Sequence, residues 1–366
     1  MTTHFLLSFL ANICVLGTII LFHELGHFLA AKRTGMGVQE FSIGAGPSLY
    51  RWKRGETTYH LRLFLFMGWV KIAGMEPGEE AKVENGFYTR PVGQRLMVLL
   101  AGGLMNLCLA VLAVWTMGLA FGKPGEPTSR IAKVLHGRPA EKAGLQVGDV
   151  IVGINGKRTR EVQTIYEEIS NSPGRPVELV VEREGQELVF TITTYVTEEQ
   201  SLEGPPGEET IVTRRVGKIG IVFTQTFERL SLGEVFQAGF VNTARVVVGF
   251  TIALWRIITG TLPAEVGGPV RLVQEINLAT YLGLYSVLQL VFQFTIIIGL
   301  INLFPFPALD GGRMVFQLLE WVYGRPVVSR RKEAAIHAVG LVMLLSFMLL
   351  ISFNDVRRIL HLRQLQ

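Results

Sequence analysis

Phe5-Leu-Leu-Ser-Phe-Leu-Ala-Asn-Ile-Cys-Val-Leu-Gly-Thr-Ile-Ile-Leu-Phe22 runs without a charge directly into His23-Glu24-Leu25-Gly26-His27. A helix needs roughly 20 mostly apolar residues to cross about 30 Å of hydrocarbon, and this run meets that need. His23 and His27 then fall one helical turn apart on one face, the spacing at which two imidazole nitrogens bind a single zinc ion. Glu24, beside them, is placed to take a proton from water activated at that metal. On a water-exposed helix the same five residues would read equally well as a surface His-Glu pair. At the end of a membrane span, ionisable groups are costly unless they face a polar cavity or a partner, so here they mark a functional site.

The rest of the 366 residues supports a membrane setting. The chain is 49% hydrophobic and 18% charged, with a mean hydropathy of +0.37, a mixture that fits membrane spans plus a soluble module. Leu96 to Phe121 and Ile276 to Leu309 are further uncharged runs, and Ala338 to Phe353 is a shorter one. The count is four spans. The leader Met1-Thr2-Thr3-His4 lacks the Lys or Arg of a secretory signal, and no clean small-residue cleavage site follows it. Cys14 and Cys108 both fall inside predicted spans and report nothing about redox compartment. The net charge of +5 comes from Lys and Arg clustered in loops flanking the spans, which does not imply nucleic acid.

Between the first two spans, Phe41 to Pro47 and His60 to Lys71 read as strands around the basic turn Arg51 to Gly55, a hairpin over about 39–73. Strand backbone at membrane depth has to line protein or water, because bare lipid leaves its amides unsatisfied. Residues 123–223 read as a soluble module. Arg130 to Leu135, Asp149 to Ile154, Val177 to Arg183 and Glu187 to Tyr195 are its predicted strands, and Glu161 to Ser170 its helix. Glu198 to Glu209, rich in Glu, Gly and Pro, reads as a loop. In 224–274, Phe236, Phe240, Thr243, Val247, Phe250, Leu254 and Ile257 recur at helical spacing but are interrupted by Arg245 and Arg256, so the segment reads as an amphipathic helix at the interface. Residues 1–122 and 275–366 form the two membrane halves.

Catalytic zinc takes three protein ligands and leaves one position open. Asp310 ends the long uncharged run, in Asn302-Leu-Phe-Pro-Phe-Pro-Ala-Leu-Asp-Gly-Gly312. Pro305 and Pro307 cannot continue a helix, and Gly311 and Gly312 permit close approach, so this carboxylate can turn toward the histidines as the third ligand. As a lone residue it also fits a helix cap or turn.

Taken together, these motifs resemble a known family. Ala143-Gly-Leu-Gln-Val-Gly-Asp-Val-Ile151 followed by Ile154-Asn-Gly-Lys157 is very similar to the turn-strand-turn of a bacterial PDZ domain. His-Glu-Leu-Gly-His in the first span, Asn-x-x-Pro-x-Pro-x-Leu-Asp-Gly in a late span and a PDZ domain between them resemble the bacterial site-2 proteases of the RseP group. Phe87 to Asn106 and Gly267-Gly-Pro-Val270 extend the likeness over nearly the whole chain. The resemblance implies a polytopic α-helical membrane protein with a membrane-reentrant β-hairpin and an inserted α+β PDZ domain. It implies Zn2+ on His23, His27 and Asp310, Glu24 as catalytic base, and Asn302 in contact with substrate. Substrates by that likeness are single-pass membrane proteins, such as anti-sigma factors or signal-peptide remnants, cut within the lipid bilayer, and the PDZ domain would take peptide C-termini. The implied location is the bacterial cytoplasmic membrane. Lys32, Arg33, Arg51, Lys53 and Arg54 after the first span, and Arg325, Arg330, Arg331 and Lys332 after the third, put the metal near the cytoplasmic face and the PDZ domain outside. Arg357, Arg358 and Arg363 run against that orientation. The chain departs from the best-known member in having one PDZ module rather than two, and Ile297 stands where some relatives place an asparagine. Two other readings remain: a catalytically silent scaffold built around the PDZ module, and a zinc protease with a soluble-facing site and a downstream Glu ligand.

Overall fold

The computed structural model describes residues 2–364, apart from 77, 79–82, 204–209 and 263–266. Along the chain run α1 (Thr2–Arg33), β1 (Val38–Arg54), β2 (Thr57–Ile72) and α2 (Val92–Ala120). The middle holds β3 (Lys123–Val134), α3 (Pro139–Lys142), β4 (Val150–Ile154), β5 (Lys157–Arg158), α4 (Val162–Ser170), β6 (Pro176–Arg183), β7 (Gln186–Thr193), β8 (Tyr195–Glu203), β9 (Thr210–Lys218) and β10 (Ile221–Glu228). Then come α5 (Leu232–Ile258), α6 (Pro269–Leu282), α7 (Leu284–Asn302), α8 (Asp310–Tyr323) and α9 (Arg330–Gln364). Two compact units result: Met1–Met117 with Leu232–Thr251 and Val266–Leu362, and Gly118–Ser231 with Ile252–Glu265 and Arg363–Gln366.

In the first unit, α1 buries Val15 and Ile19 against Leu109 of α2, Ile276 and Ala279 of α6, and Leu290 and Val291 of α7. Small residues let these helices approach to backbone contact, the usual route to tight packing where no water drives association. A Cβ on Gly26 would fall inside the van der Waals radius of the Ala101 carbonyl, and one on Gly103 would lie 3.1 Å from the Gly299 carbonyl oxygen. The uncharged run from Ile276 to Leu309 resolves into the end of α6, all of α7 and the break that follows. Gly283, at φ 118°, separates the two helices.

Among the described residues, five helices, α1, α2, α5, α7 and α9, contain stretches long and apolar enough to cross a membrane. The addition to the four spans counted from sequence is α5, which forms one continuous helix past both of its arginines. Arg245 sits 13 residues from either end of α5 and is exposed, with Asn242 Oδ1 accepting its hydrogen bond at 3.1 Å. An arginine at the bilayer centre costs about 2.5–3.5 kcal/mol on insertion scales. Length and apolarity therefore do not by themselves make α5 a span.

The hairpin expected over 39–73 is present, with longer strands; its turn is Gly55-Glu56 rather than the whole of Arg51 to Gly55. Both strands bend, at Gly44 and Gly46 in β1, where φ is 92° and 80°. As a result residues 40–43 pair on two sides. Phe41 faces both Val70 and Tyr59, Ile43 faces both Gly68 and Leu61, and Trp52 returns to face Tyr59. The two strands thus make a sheet of four segments in the order 48–54, 57–62, 38–43, 68–72. Segment 68–72 is an edge.

The second unit is the expected α+β module. Its main sheet has the order β10-β3-β4-β6-β7, with β5 on β4. α4 lays Ile165 and Ile169 onto a core with Ile131, Ile151, Ile154 and Leu179. Asn155 and Gly156 both have positive φ, 48° and 78°, as a tight Asn-Gly turn requires. The sheet continues to Glu228, beyond the expected limit at 223. The loop expected over Glu198 to Glu209 is corrected by β8 and β9: Glu198 pairs with Arg215 and Glu199 with Arg214 across this hairpin. Polar composition hides such a strand pair, because opposite charges facing across strands stabilise it without an apolar pattern. Residues 204–209 lie outside the described residues.

Candidate metal centre

His23 and His27 project from α1 as one turn of helix dictates, and both are 8% exposed. Their Nε2 atoms are 3.2 Å apart. Asp310 arrives from the other end of the fold, 283 residues beyond His27. Leu303 through Leu309 break the chain, α8 begins at Asp310, and a Cβ on Gly311 or Gly312 would strike the carbonyls of Leu303, Phe304 or Phe306. That close turn carries Asp310 Oδ2 to 3.2 Å from His23 Nε2 and 3.1 Å from His27 Nε2.

These distances fit a tetrahedral zinc ion. Donors about 2.0–2.1 Å from such an ion stand about 3.3–3.4 Å from one another, close to the 3.1–3.2 Å edges seen here. The donors also have the right chemistry, two imidazoles and one carboxylate. Although Asp310 Oδ2 lies this near two rings, it has no hydrogen-bond donor among the described residues. A buried acceptor left in that state is costly, and a cation at the shared focus relieves it. His27 is further oriented by the Val98 carbonyl, 2.8 Å from Nδ1. A ring that donates its Nδ1 proton there presents Nε2 with a free lone pair, the usual outer support of a metal-binding histidine.

A cavity of about 410 Å³ opens on this cluster, lined by His23, Glu24, His27, Asn302 and Asp310 together with Gly68 and Val70 of the sheet edge. The Val70 amide faces the Glu24 carboxylate. A Cβ on Gly68 would lie 3.0 Å from Glu24 Cγ, so the missing side chain is what lets the edge segment reach the glutamate. Asn302, the last residue of α7, brings Nδ2 to 3.5 Å from His23 Nε2. All five residues singled out from the sequence therefore converge. Those the sequence did not reveal are Gly68, Val98 and Gly102. A Cβ on Gly102 would clash with both imidazoles, lying 2.7 Å from Cε1 of each. Each acts through backbone or through an absent side chain, which leaves no chemical signature in the residue type.

Residues 11–347 match the family model described as peptidase family M50. The chain belongs to this family. The M50 peptidase is 29% identical to the zinc metalloprotease RasP of Geobacillus kaustophilus, over 96% of this chain and 98% of that protein. It is 26% identical to the regulator of sigma-W protease RasP of Bacillus subtilis, over 97% and 99%. The PDZ domain of an SdrC-like protein from Listeria monocytogenes aligns with 27% of this chain and 90% of its own, at 18% identity and a TM-score of 0.19. That likeness is too slight to carry weight; the module's own strands and Asn-Gly turn are what give it the PDZ character read from its sequence. The M50 peptidase is a zinc-dependent protease of the site-2 type, a bacterial membrane protein that carries out intramembrane proteolysis. Membership in a protease family sets aside the silent scaffold.

Proposed function

We propose that this M50 peptidase hydrolyses peptide bonds within or near the transmembrane segments of single-pass membrane proteins, with His23, His27 and Asp310 holding Zn2+ and Glu24 as the catalytic base. The convergence of two histidines and one distant carboxylate on a single point, beside Glu24 and a strand edge, is the observation that supports it. A zinc ion held there would polarise the scissile carbonyl and make water a better acid. Glu24 accepts the proton of the attacking water and returns it to the leaving amine. Segment 68–72 offers a strand edge to the substrate, and a peptide added there satisfies backbone groups freed when its helix unwinds. Asn302 supplies a further hydrogen bond to the bound strand.

Membrane-anchored anti-sigma factors and signal-peptide remnants suit this reading as substrates, because each presents one apolar transmembrane segment. The Bacillus subtilis relative, a regulator of sigma-W, is in keeping with the first. The PDZ module takes free peptide C-termini. The basic residues that follow α1, and those between α8 and the first turn of α9, support an orientation with the metal near the cytoplasmic face of the bacterial cytoplasmic membrane and the module outside, and the central Arg245 supports an interfacial α5.

Purified protein should contain about one zinc per chain and lose proteolysis to a chelator. A Glu24→Gln chain that still cut a membrane substrate at the native rate would overturn the assignment of the base. The same variant, expressed in a native host, should accumulate the uncut membrane fragments and so identify them. Cleavage of the module by protease added outside sealed vesicles tests the orientation.

A further inference from the structure

Resting on the reading of Asp310 as a metal ligand, we infer that His337 of α9 is a positioning residue for that ligand: it clamps the break before α8 by accepting the Ala308 amide. His337 is 8% exposed, and its Nδ1 accepts a hydrogen bond from Ala308 N–H at 3.0 Å. A nitrogen that accepts carries no proton, so the proton of the neutral ring stays on Nε2. The ring is held edge-on to Phe316 of α8, with centroids 5.7 Å apart. Ala308 is two residues before Asp310 and has φ 86°, a left-handed conformation that a residue with a Cβ adopts only when its surroundings impose it.

A second contact falls one turn further along α9. Gly340 has no side chain, and a Cβ there would strike Pro307. His337 and Gly340 therefore grip consecutive residues of the break from one face of a helix. α9 is otherwise little buried along its apolar window, so this grip is a specific use of an exposed helix rather than general packing.

The start of α9 is anchored separately. Arg330 reaches Glu320 of α8 at 2.6 Å and Glu333 at 3.0 Å, and Arg95 of α2 meets Glu320 at 2.6 Å. α8 is thus held near its far end by ion pairs and at its Asp310 end by His337. Without the His337 hydrogen bond, Ala308 can relax toward negative φ, turning Leu309 and carrying the Asp310 carboxylate away from the two imidazoles. The effect lies on ligand geometry and not on substrate contact.

The test uses the full chain in detergent micelles and in vesicles, with zinc competed against a chelator of known affinity. His337→Ala should weaken zinc binding by about 10- to 100-fold, the range for loss of a ligand's outer support, and lower kcat with KM nearly unchanged. His337→Asn, which can still offer an acceptor to the Ala308 amide, should recover most of both losses. Ala308→Gly placed in the His337→Ala chain should also recover zinc affinity in part, because glycine holds positive φ without penalty. Hydrogen exchange of peptide 303–313 in the metal-free chain should be faster in His337→Ala than in the native protein. Native zinc affinity in His337→Ala, or a His337→Asn chain as impaired as His337→Ala, would overturn the inference. A native chain that binds no zinc would instead refute the metal reading, while the exchange measurement on the metal-free chain still decides whether His337 clamps the break.

Discussion

Two aspartates, the fully buried Asp149 of the module and the partly buried Asp310 of the helical unit, show how differently the same side chain is used. Asp149 in the module is 1% exposed. Its Oδ1 accepts from Arg183 Nε at 2.7 Å, and its Oδ2 accepts from Arg183 Nη2 at 2.8 Å and from the Gln146 amide at 2.9 Å. Burial alone would push its carboxyl up, but Arg183 and that amide together hold it below the ordinary aspartate range. Asp310 in the helical unit faces two imidazoles and has an oxygen with no donor among the described residues. One acid is matched on every side and holds a turn in place. The other is left incomplete and shaped to receive a cation. A carboxylate oxygen left unmatched at the focus of other donors points to chemistry, whereas a fully matched one points to architecture.

The largest expected effect lies on the incomplete side. Glu24→Gln should lower kcat by about 10²- to 10⁴-fold, as loss of a general base does, and zinc content by plasma emission should remain native. Parallel loss of metal would mean that Glu24 belongs to the ligand set instead. Next is Gly102→Ala, whose methyl enters the space of both imidazoles. Displacing the ligands by about 1 Å costs on the order of 10²-fold in rate, and here zinc content should fall together with activity. Native values of both would show that α2 gives way freely and that the site is softer than its packing implies.

On the matched side the effects are structural. Asp149→Ala strips Arg183 and the Gln146 amide of their acceptor and should destabilise the module by about 1–3 kcal/mol, read from thermal unfolding, with zinc content unchanged. The smallest effect is its pH dependence. Because the native carboxyl lies below its unfolded value of about 3.9, its stabilisation is complete above that value and is lost as pH falls through the lower native one. The stability difference between the native chain and Asp149→Asn should therefore be constant near neutrality and close only in strong acid. A difference that closed near pH 6 would mean that Arg183 is not what stabilises the charged form.

His23, Glu24 and His27 were legible because helical periodicity alone puts i and i+4 on one face, and Asp310 because it is the first charge after a long apolar run. The strands of the module were legible from alternation and turn residues. The β8–β9 hairpin was not, since its Glu and Arg partners acquire meaning only when Glu198 and Arg215 face each other. The fourfold folding of β1 on β2 was not legible either. Its register depends on two bends, and nothing in the apolar run His60 to Lys71 says which end will be the open edge beside Glu24.

The sequence by itself determined which donor side chains stand at 23, 27 and 310, which runs are long and apolar enough to span a membrane, and the turn chemistry of the module. These follow from side-chain chemistry and short-range periodicity, which any local stretch of chain possesses. The tertiary structure decided that Asp310 meets His23 and His27 within 3.2 Å, that Gly68 brings a strand edge to Glu24, and that α9 grips the break before α8. Those facts depend on how closely backbones approach between stretches that are separate in the chain, and close approach is set by packing that no single stretch of sequence contains.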